Sequence, residues 1–206
     1  MSQHWNELYA QTQDLYGTAA NLFIQEVKEK IRIEGKTLAI AEGEGRNILY
    51  LAEQARQHNY SFSAEVWDYS DVALKHLSSK AEATGIKLEL KNVDLTAAKW
   101  PSERYQNVIC VFGHFDTQTQ KQILAGIRES LLNGGWFIGE LYSKEQINYQ
   151  TGGPKNIEYL YDPRSILDVF GQDHLHHFYV GEQERHEGKL HCGKCHVIQF
   201  AIQVRK

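Results

Sequence analysis

The sequence predicts an α/β fold, a seven-stranded, mostly parallel sheet with helices on both faces that ends in an antiparallel hairpin. Three observations predict it. Short apolar runs alternate with amphipathic segments, the rhythm of parallel strands joined by helices. A Gly-x-Gly turn, Gly43-Glu44-Gly45, follows the first of these runs. The last two strand-like segments are joined only by the polar stretch Glu184–Lys194, too short and too unpatterned for a parallel crossover.

Asn21–Ile31 places Leu22, Phe23, Val27 and Ile31 near helical spacing, and Gly35 follows. Thr37–Ala41 is the first strand. Ile48, Leu49, Leu51, Ala52 and Ala55 mark a helix packed on a sheet. Phe62–Trp67 is the second strand. A helix follows from Ser70, a suitable N-cap, to about Glu82. Ile86–Leu90 is the third strand, and Val108–Phe112, apolar throughout, is a fully buried fourth. A helix over about Gln118–Leu132 is expected to stop at Asn133-Gly134-Gly135, before a fifth strand at Trp136–Leu141. Arg164–Phe170 is a short helix. His176–Gln183 and His196–Val204 are the hairpin strands.

With 206 residues the chain is expected to form one domain, residues 1–34 being an N-terminal lid and helix and 35–206 a Rossmann-like core. Its composition, 42% hydrophobic and 23% charged, is that of a chain with a folded core. The net charge of −4 and the lack of a Lys/Arg run argue against phosphate tracking and therefore against a nucleic-acid partner. No signal peptide or membrane span is visible. Three cysteines, an odd number, read as reduced thiols and a cytoplasmic location. No membrane partner is expected, and the protein is expected to be a monomer or homodimer.

In an open α/β sheet, ligands sit beyond the carboxyl ends of the strands where the strand order reverses. Here that point follows the first and fourth strands. A dinucleotide fingerprint wants a third glycine three residues after the second, but position 48 is Ile. Glu42 and Glu44 would also repel a pyrophosphate. S-adenosylmethionine (SAM) has no phosphate and carries two cationic groups, so the acidic loop favours it over NAD. Asp68 closes the second strand 23 residues after Gly45, where a carboxylate can accept both ribose hydroxyls; the alternative is an N-cap role, which Ser70 already fills. Tyr69 covers the adenine face or is simply a half-exposed aromatic. Asp94 accepts from the adenine amino group or is a turn residue. Phe112, Gly113 and His114 leave the fourth strand facing the same crevice. His114, at its mouth, is the candidate catalytic group, as base or hydrogen-bond donor, or else only orients the loop. Cys192-Gly193-Lys194-Cys195, between His191 and His196, invites a metal or redox reading. No second such pair exists and the motif lies in a predicted hairpin, so no metal ligand is assigned.

Ala41-Glu42-Gly43-Glu44-Gly45-Arg46-Asn47, Asp68-Tyr69-Ser70 and Asp94-Leu95 together resemble the SAM-dependent methyltransferases of the tellurite-resistance type. The similarity extends to Trp5, Tyr9, Tyr16-Gly17, His114, Tyr149–Pro154, His186-Glu187-Gly188 and His191, almost the whole chain. The cysteine pair departs from that pattern, as does a long, polar Gln54–Ser63. The resemblance implies a Rossmann-like class I methyltransferase fold and SAM as cofactor. It implies cofactor contacts at Glu42, Gly43, Gly45, Asp68, Asp94 and the 112–114 corner, with Tyr69, Leu95 and Tyr16 beside them. It makes Trp5, Tyr9 and Tyr16 a lid. Trp5, Tyr9, His186 and His191 are assigned to the acceptor pocket, the two histidines alternatively to surface or turn roles, and Thr151–Pro154 to a mobile or shaped flap or to plain turn chemistry. The expected activity is methyl transfer to a small-molecule acceptor: an oxyanion such as tellurite, a thiol or a metabolite. Two alternatives remain at this point, a non-catalytic SAM-sensing module and a nicotinamide-dependent oxidoreductase.

Overall fold

The order of strands in the sheet decides where a ligand can bind, and it follows from how the chain leaves its first strand. A computed structural model describes residues 2–188 and 191–206. After helix α1 (Ser2–Gln11) and the short α2 (Leu22–Lys28), strand β1 (Gly35–Ile40) enters the middle of the sheet. The chain then runs outward through α3 (Arg46–Gln57), β2 (Phe62–Asp68), α4 (Asp71–Thr84) and the edge strand β3 (Leu88–Asn92). It returns to the other side of β1 as β4 (Tyr105–Val111), followed by α5 (Thr117–Ser130) and β5 (Leu131–Tyr142). Two single 3₁₀ turns lead to α6 (Pro163–Phe170) and to the hairpin of β6 (His174–Glu187) and β7 (His191–Gln203). The sheet order is β3-β2-β1-β4-β5-β7-β6. The first five strands are parallel, and β7 runs antiparallel to both β5 and β6.

Alternation along the buried strands feeds two apolar layers. Ala39, Ile109, Val111 and Ile138 pack with Phe23, Ile24, Ile48, Leu51, Leu74 and Leu77 of α2, α3 and α4. Leu38, Ile40, Val108 and Cys110 pack with Ile123, Leu124, Ile127, Ile166 and Phe170 of α5 and α6. Ser70 caps α4 as expected, its hydroxyl accepting from the Ala73 N–H at 3.1 Å.

Several boundaries differ from the sequence expectation, among them β4, which runs Tyr105–Val111 and leaves out Phe112. Helix α5 stops at Ser130, not at the Asn133-Gly134-Gly135 turn. Leu131 is already extended and pairs with Tyr105. The glycines bend β5, where Gly134 N–H donates to Val204 C=O and Val204 N–H to Gly135 C=O, each at 2.8 Å. Burying Leu131 completely outweighs one more helical turn. Strand β3 begins at Leu88, two residues late, and α2 ends at Lys28, three residues early. The largest difference is in the hairpin. Glu184–Lys194, expected to be a connecting loop, is mostly ladder, paired from Glu184↔Lys194 to Glu187↔His191.

That polar ribbon pairs because its inward side chains are satisfied by ions. Arg185, 2% exposed, grips the fully buried Glu140 of β5 with two hydrogen bonds, Nε to Oε1 at 2.9 Å and a second from its other nitrogen to Oε2. Gln199 Nε2 donates to Glu140 Oε2 at 2.6 Å. Asn21 Nδ2 donates to both Glu140 and Glu187, at 3.1 and 2.9 Å, and Glu187 pairs with Arg46 at 2.5 Å. Removing one member leaves a buried charge uncompensated. Arg185→Met is therefore expected to lower unfolding free energy by about 3–5 kcal/mol, read from the shift in urea midpoint.

Candidate active site

The crevice opens where β1 and β4, neighbours in the sheet, send their chains to opposite sides. Both exits are made by non-glycine residues with left-handed backbones, Ala41 at φ +49° and Phe112 at φ +52°. Such conformations cost about 1–3 kcal/mol each and persist where the surroundings enforce them. Ala41 N–H donates to Trp67 C=O at 2.9 Å and Phe112 N–H to Glu140 C=O at 2.8 Å, so the neighbouring strands hold both corners. A cavity of about 220 Å³ lies over them.

The carboxylates around this cavity are each tied to backbone. Glu42, 6% exposed, accepts from the N–H groups of Asn47 and Ile48, both at 2.9 Å. It thereby occupies the first turn of α3. Burial nevertheless pushes its carboxyl up to about 7, against the pull of those donors and of Arg46. Asp68 accepts from Gly43 N–H through one oxygen and from Ser70 N–H through the other, both at 2.8 Å. Burial raises its pKa, opposed by the same N–H groups. Asp94 Oδ1 accepts from the Thr96 N–H and hydroxyl, at 2.9 and 2.6 Å; no hydrogen bond reaches its other oxygen among the described residues. Tyr69, Leu95 and Phe112 line the same cavity.

The remaining expected residues divide. Trp5, Tyr9 and Tyr16 cover the cavity, and His114 and His191 close its far side. Gly43 and Gly45 do not line it. A side chain on Gly43 would run into the Tyr9 hydroxyl, and one on Gly45 into Leu77. With φ of +60° and +84°, they let the lid and α4 close onto the loop. Glu44 turns away from the cavity. It accepts from Leu15 N–H at 3.1 Å and lies 2.8 Å from His76 Nδ1, so of the two loop acids only Glu42 faces the crevice. His186 does not join the site. It sits on the outward face of the ribbon with its side chain 77% exposed, beside Glu184, because residues one apart on a strand point to opposite faces.

His114 and His191 share an unusual environment. Nδ1 of each is buried without a hydrogen-bond partner, and so is the Tyr142 hydroxyl. Phe112 stacks on Tyr142 at 4.4 Å and meets the His191 ring edge-on at 4.5 Å, while Tyr16 packs on His191 at 4.6 Å. Burial depresses His114 to about 4 and His191 to about 3, so both are neutral at physiological pH. Arg46, Asn47 and Tyr142 carry no role in the sequence reading. Arg46 and Asn47 open a helix pointing at the crevice, and Tyr142 ends β5 in phase with the buried Glu140 and Ile138. Period and position were the available signals. Cys192 is exposed and Cys195 buried, and three residues apart on a strand they face opposite ways. Among the described residues no group of three or more His, Cys, Asp or Glu converges on a metal position.

A second cavity of about 650 Å³ adjoins the first. Thr151, Gly152, Gly153 and Pro154 form its outer wall, with Lys155, Tyr159 and Cys192. Trp5, Tyr16, His114 and His191 line both cavities.

Residues 37–135 match the profile of the methyltransferase domain family, the segment from β1 to the middle of β5. Solved structures agree in fold. TehB from Haemophilus influenzae superposes with a TM-score of 0.73 at 15% identity, over 98% of this chain and 67% of that one. An S-adenosylmethionine-dependent methyltransferase from Clostridium acetobutylicum gives 0.63 at 13%, over 100% and 93%. A protein described under the conversion of a disulfide bond into a thioacetal group in echinomycin biosynthesis gives 0.77 at 13%, over 100% and 92%. No curated protein matches the chain by sequence. The fold is the Rossmann-like class I methyltransferase fold. The matched segment carries most of the crevice, and the domain match and the shared fold together support a SAM-dependent methyltransferase with SAM as cofactor. No helix among the described residues is long and apolar enough to cross a membrane.

The residues present fit that cofactor. The N–H groups at the start of α3, which would hold a dinucleotide pyrophosphate, are already taken by the Glu42 carboxylate. Acids line the crevice instead, as a cationic ligand requires.

The two buried imidazoles also bear on stability. Their pKa values are lower in the folded chain than the ordinary 6.5 of the unfolded one. The unfolded state therefore binds more protons from about pH 6.5 down to about 4 at His114 and about 3 at His191. Stability is complete above 6.5 and falls as pH drops through that window, with a limiting slope of about 1.4 kcal/mol per pH unit for each ring. Replacing both by Gln is expected to flatten this part of the profile, measured as urea midpoint against pH.

Proposed function

We propose that the chain methylates a small-molecule acceptor held in the second cavity, with the cofactor in the crevice and the transferred methyl group passing between His114 and His191. The observation that carries this reading is that the two cavities share these two imidazoles, Trp5 and Tyr16 and no other described residue. In this reading Asp68 keeps one lone pair on each oxygen for the ribose hydroxyls. Asp94 offers its unpartnered oxygen to the adenine amino group, and Tyr69 and Leu95 flank the base. Glu42 and Tyr16 face the amino-acid end, and Gly43 and Gly45 let Tyr9 and α4 pack against the loop that carries Glu42. Trp5 and His191 enclose the acceptor side; Tyr9, expected there from the sequence, lines only the first cavity and covers the cofactor side.

When bound, the cofactor supplies a methyl group on a cationic sulfur, which a nucleophile displaces in line. The chain's own part is to align and to exclude water. Trp5, Tyr9 and Tyr16 cover the junction. His114 and His191, neutral and unpartnered on one nitrogen, can hold the acceptor's nucleophilic atom by hydrogen bonding. A ring with a pKa near 4 is a weak base, so the arrangement suits an acceptor with an available lone pair, a thiolate, an oxyanion or a neutral amine, better than one that must lose a tightly held proton.

Calorimetric titration with S-adenosylhomocysteine tests the cofactor site, with NAD as control. Micromolar binding of the first and none of the second is expected, and NAD binding alone overturns the reading. Asp68→Ala is expected to weaken that binding by about 1–3 kcal/mol; unchanged affinity in the folded variant removes Asp68 from the site. His114→Gln is expected to leave affinity for S-adenosylhomocysteine intact and to lower kcat on any acceptor about 10- to 100-fold. If kcat is kept, the residue is structural.

A further inference from the structure

Resting on that reading, we infer that the acceptor is an organic anion with a flat apolar body, its negative group facing Lys155, and not a mononuclear oxyanion. Size is the first argument. The second cavity measures about 650 Å³, within the range of about 300–1,000 Å³ that encloses drug-sized ligands. A water molecule's share of liquid volume is about 30 Å³, so an oxyanion of four atoms would leave most of the cavity to solvent and nothing to hold its nucleophile against the methyl group. Alignment requires a body that fills the walls.

The walls are built to a fixed shape. Thr151 Oγ1 donates to Lys194 C=O at 2.5 Å and Gln146 Nε2 to Gly152 C=O at 3.1 Å. Gly153 lies against the Tyr142 ring, where an added Cβ would stand 2.8 Å from Cδ2. The outer wall is thus pinned to β7, to the preceding turn and to β5, as a shaped wall.

The lining chemistry is the second argument. Trp5, Tyr16 and Tyr159 offer aromatic faces, and Leu8 and Pro154 apolar ones. Flat apolar molecules gain most from such surfaces. Charge is the third. Among the described lining residues there is no carboxylate, and Lys155, exposed and in no ion pair with a described residue, carries the one full charge. The crevice beside it holds Glu42, Asp68 and Asp94. Acids thus face the cationic cofactor and a cation faces the acceptor. An anionic acceptor is also drawn toward the cofactor's positive sulfur, whereas a cationic one is repelled.

The test is binding to the full chain saturated with S-adenosylhomocysteine, using three probes of one shape and one inorganic ion: 2-naphthoate, 2-naphthylmethanol, 2-naphthylmethylamine and tellurite. Ligand-detected NMR and calorimetry give the affinities. The naphthoate is expected to bind about tenfold tighter than the amine, and tellurite to bind more weakly than the naphthoate. Lys155→Ala, an exposed change, is expected to weaken the naphthoate about fivefold and leave the alcohol unchanged. Tellurite binding tighter than the naphthoate, an equal or reversed preference between acid and amine, or an unaltered naphthoate affinity in the variant each overturns the inference. If S-adenosylhomocysteine binds and no naphthyl probe does, this inference falls and the methyl-transfer reading stands. If S-adenosylhomocysteine itself does not bind, the reading falls and this inference with it.

Discussion

The buried ion pair between Arg185 and Glu140 is the interaction on which the arrangement of the site depends. It joins β6 to β5 across β7, where Gln199 completes the contact. From there the chain of partners runs through Asn21 and Glu187 to Arg46 at the start of α3. Asn21 N–H also donates to Asn47 Oδ1 at 2.9 Å, and Asn47 N–H donates to Glu42. One continuous polar network therefore spans from the antiparallel end of the sheet to the loop after β1. A buried pair of this kind is weak as a source of stability but strict in geometry. Its cost is offset only while every partner is in place, which fixes the hairpin, the α2 entry and the cofactor loop relative to one another.

That network also explains how the hairpin contributes to a site formed by the other end of the sheet. Gly188, at the ribbon's turn, packs directly on the Tyr16-Gly17 backbone, where an added Cβ would lie 2.5 Å from the Tyr16 carbonyl carbon. The lid segment and the ribbon tip thus touch main chain to main chain. Three residues further, His191 enters both cavities. On the opposite side this segment is held by the cap of α4 and by the glycine loop, with the Ser70 hydroxyl donating to Asn6 Oδ1 at 2.6 Å and Leu15 N–H to Glu44. The Glu42–Gly45 loop, the segment that carries Tyr9 and Tyr16, and the ribbon therefore close on one another.

The architecture was legible because it rests on periodicity and turn chemistry. The buried fourth strand, the Ser70 cap and the antiparallel final hairpin each carried their own physical reason and hold in the structure, although the strand runs Tyr105–Val111 and leaves Phe112 at the corner. Asp68 and Asp94 were placed at the right strand ends for the same reason. What was not legible depends on where side chains point. Glu42 and Glu44 look alike in the sequence, yet one caps α3 inside the crevice and the other anchors the lid outside it. His186 and His191 flank the same turn, and pleat direction alone separates them. The polar ribbon read as a loop because hydrophobicity is the signal for a buried strand, and here burial is satisfied by Arg185 and Glu140 instead. The Asn133–Gly135 turn misled for the converse reason, since glycines that end helices also bend strands.

The chemistry of the junction follows from burial more than from residue identity. A histidine in water titrates near neutrality, and two of them beside a reacting centre would suggest proton transfer. Here Phe112, Tyr142 and Tyr16 pack around His191, Tyr142 stacks on His114, and desolvation holds both rings neutral far below physiological pH. The positive sulfur of the cofactor would disfavour protonation further. What remains is a pair of buried rings, each with one unpartnered nitrogen, where each hydrogen bond is worth more than in water and each unpaired group is costly. Displacement at an already activated carbon gains little from a strong base and much from such positioning. In the proposed reading, two weakly basic rings in a shaped cage therefore favour an acceptor whose nucleophilic atom arrives ready to react.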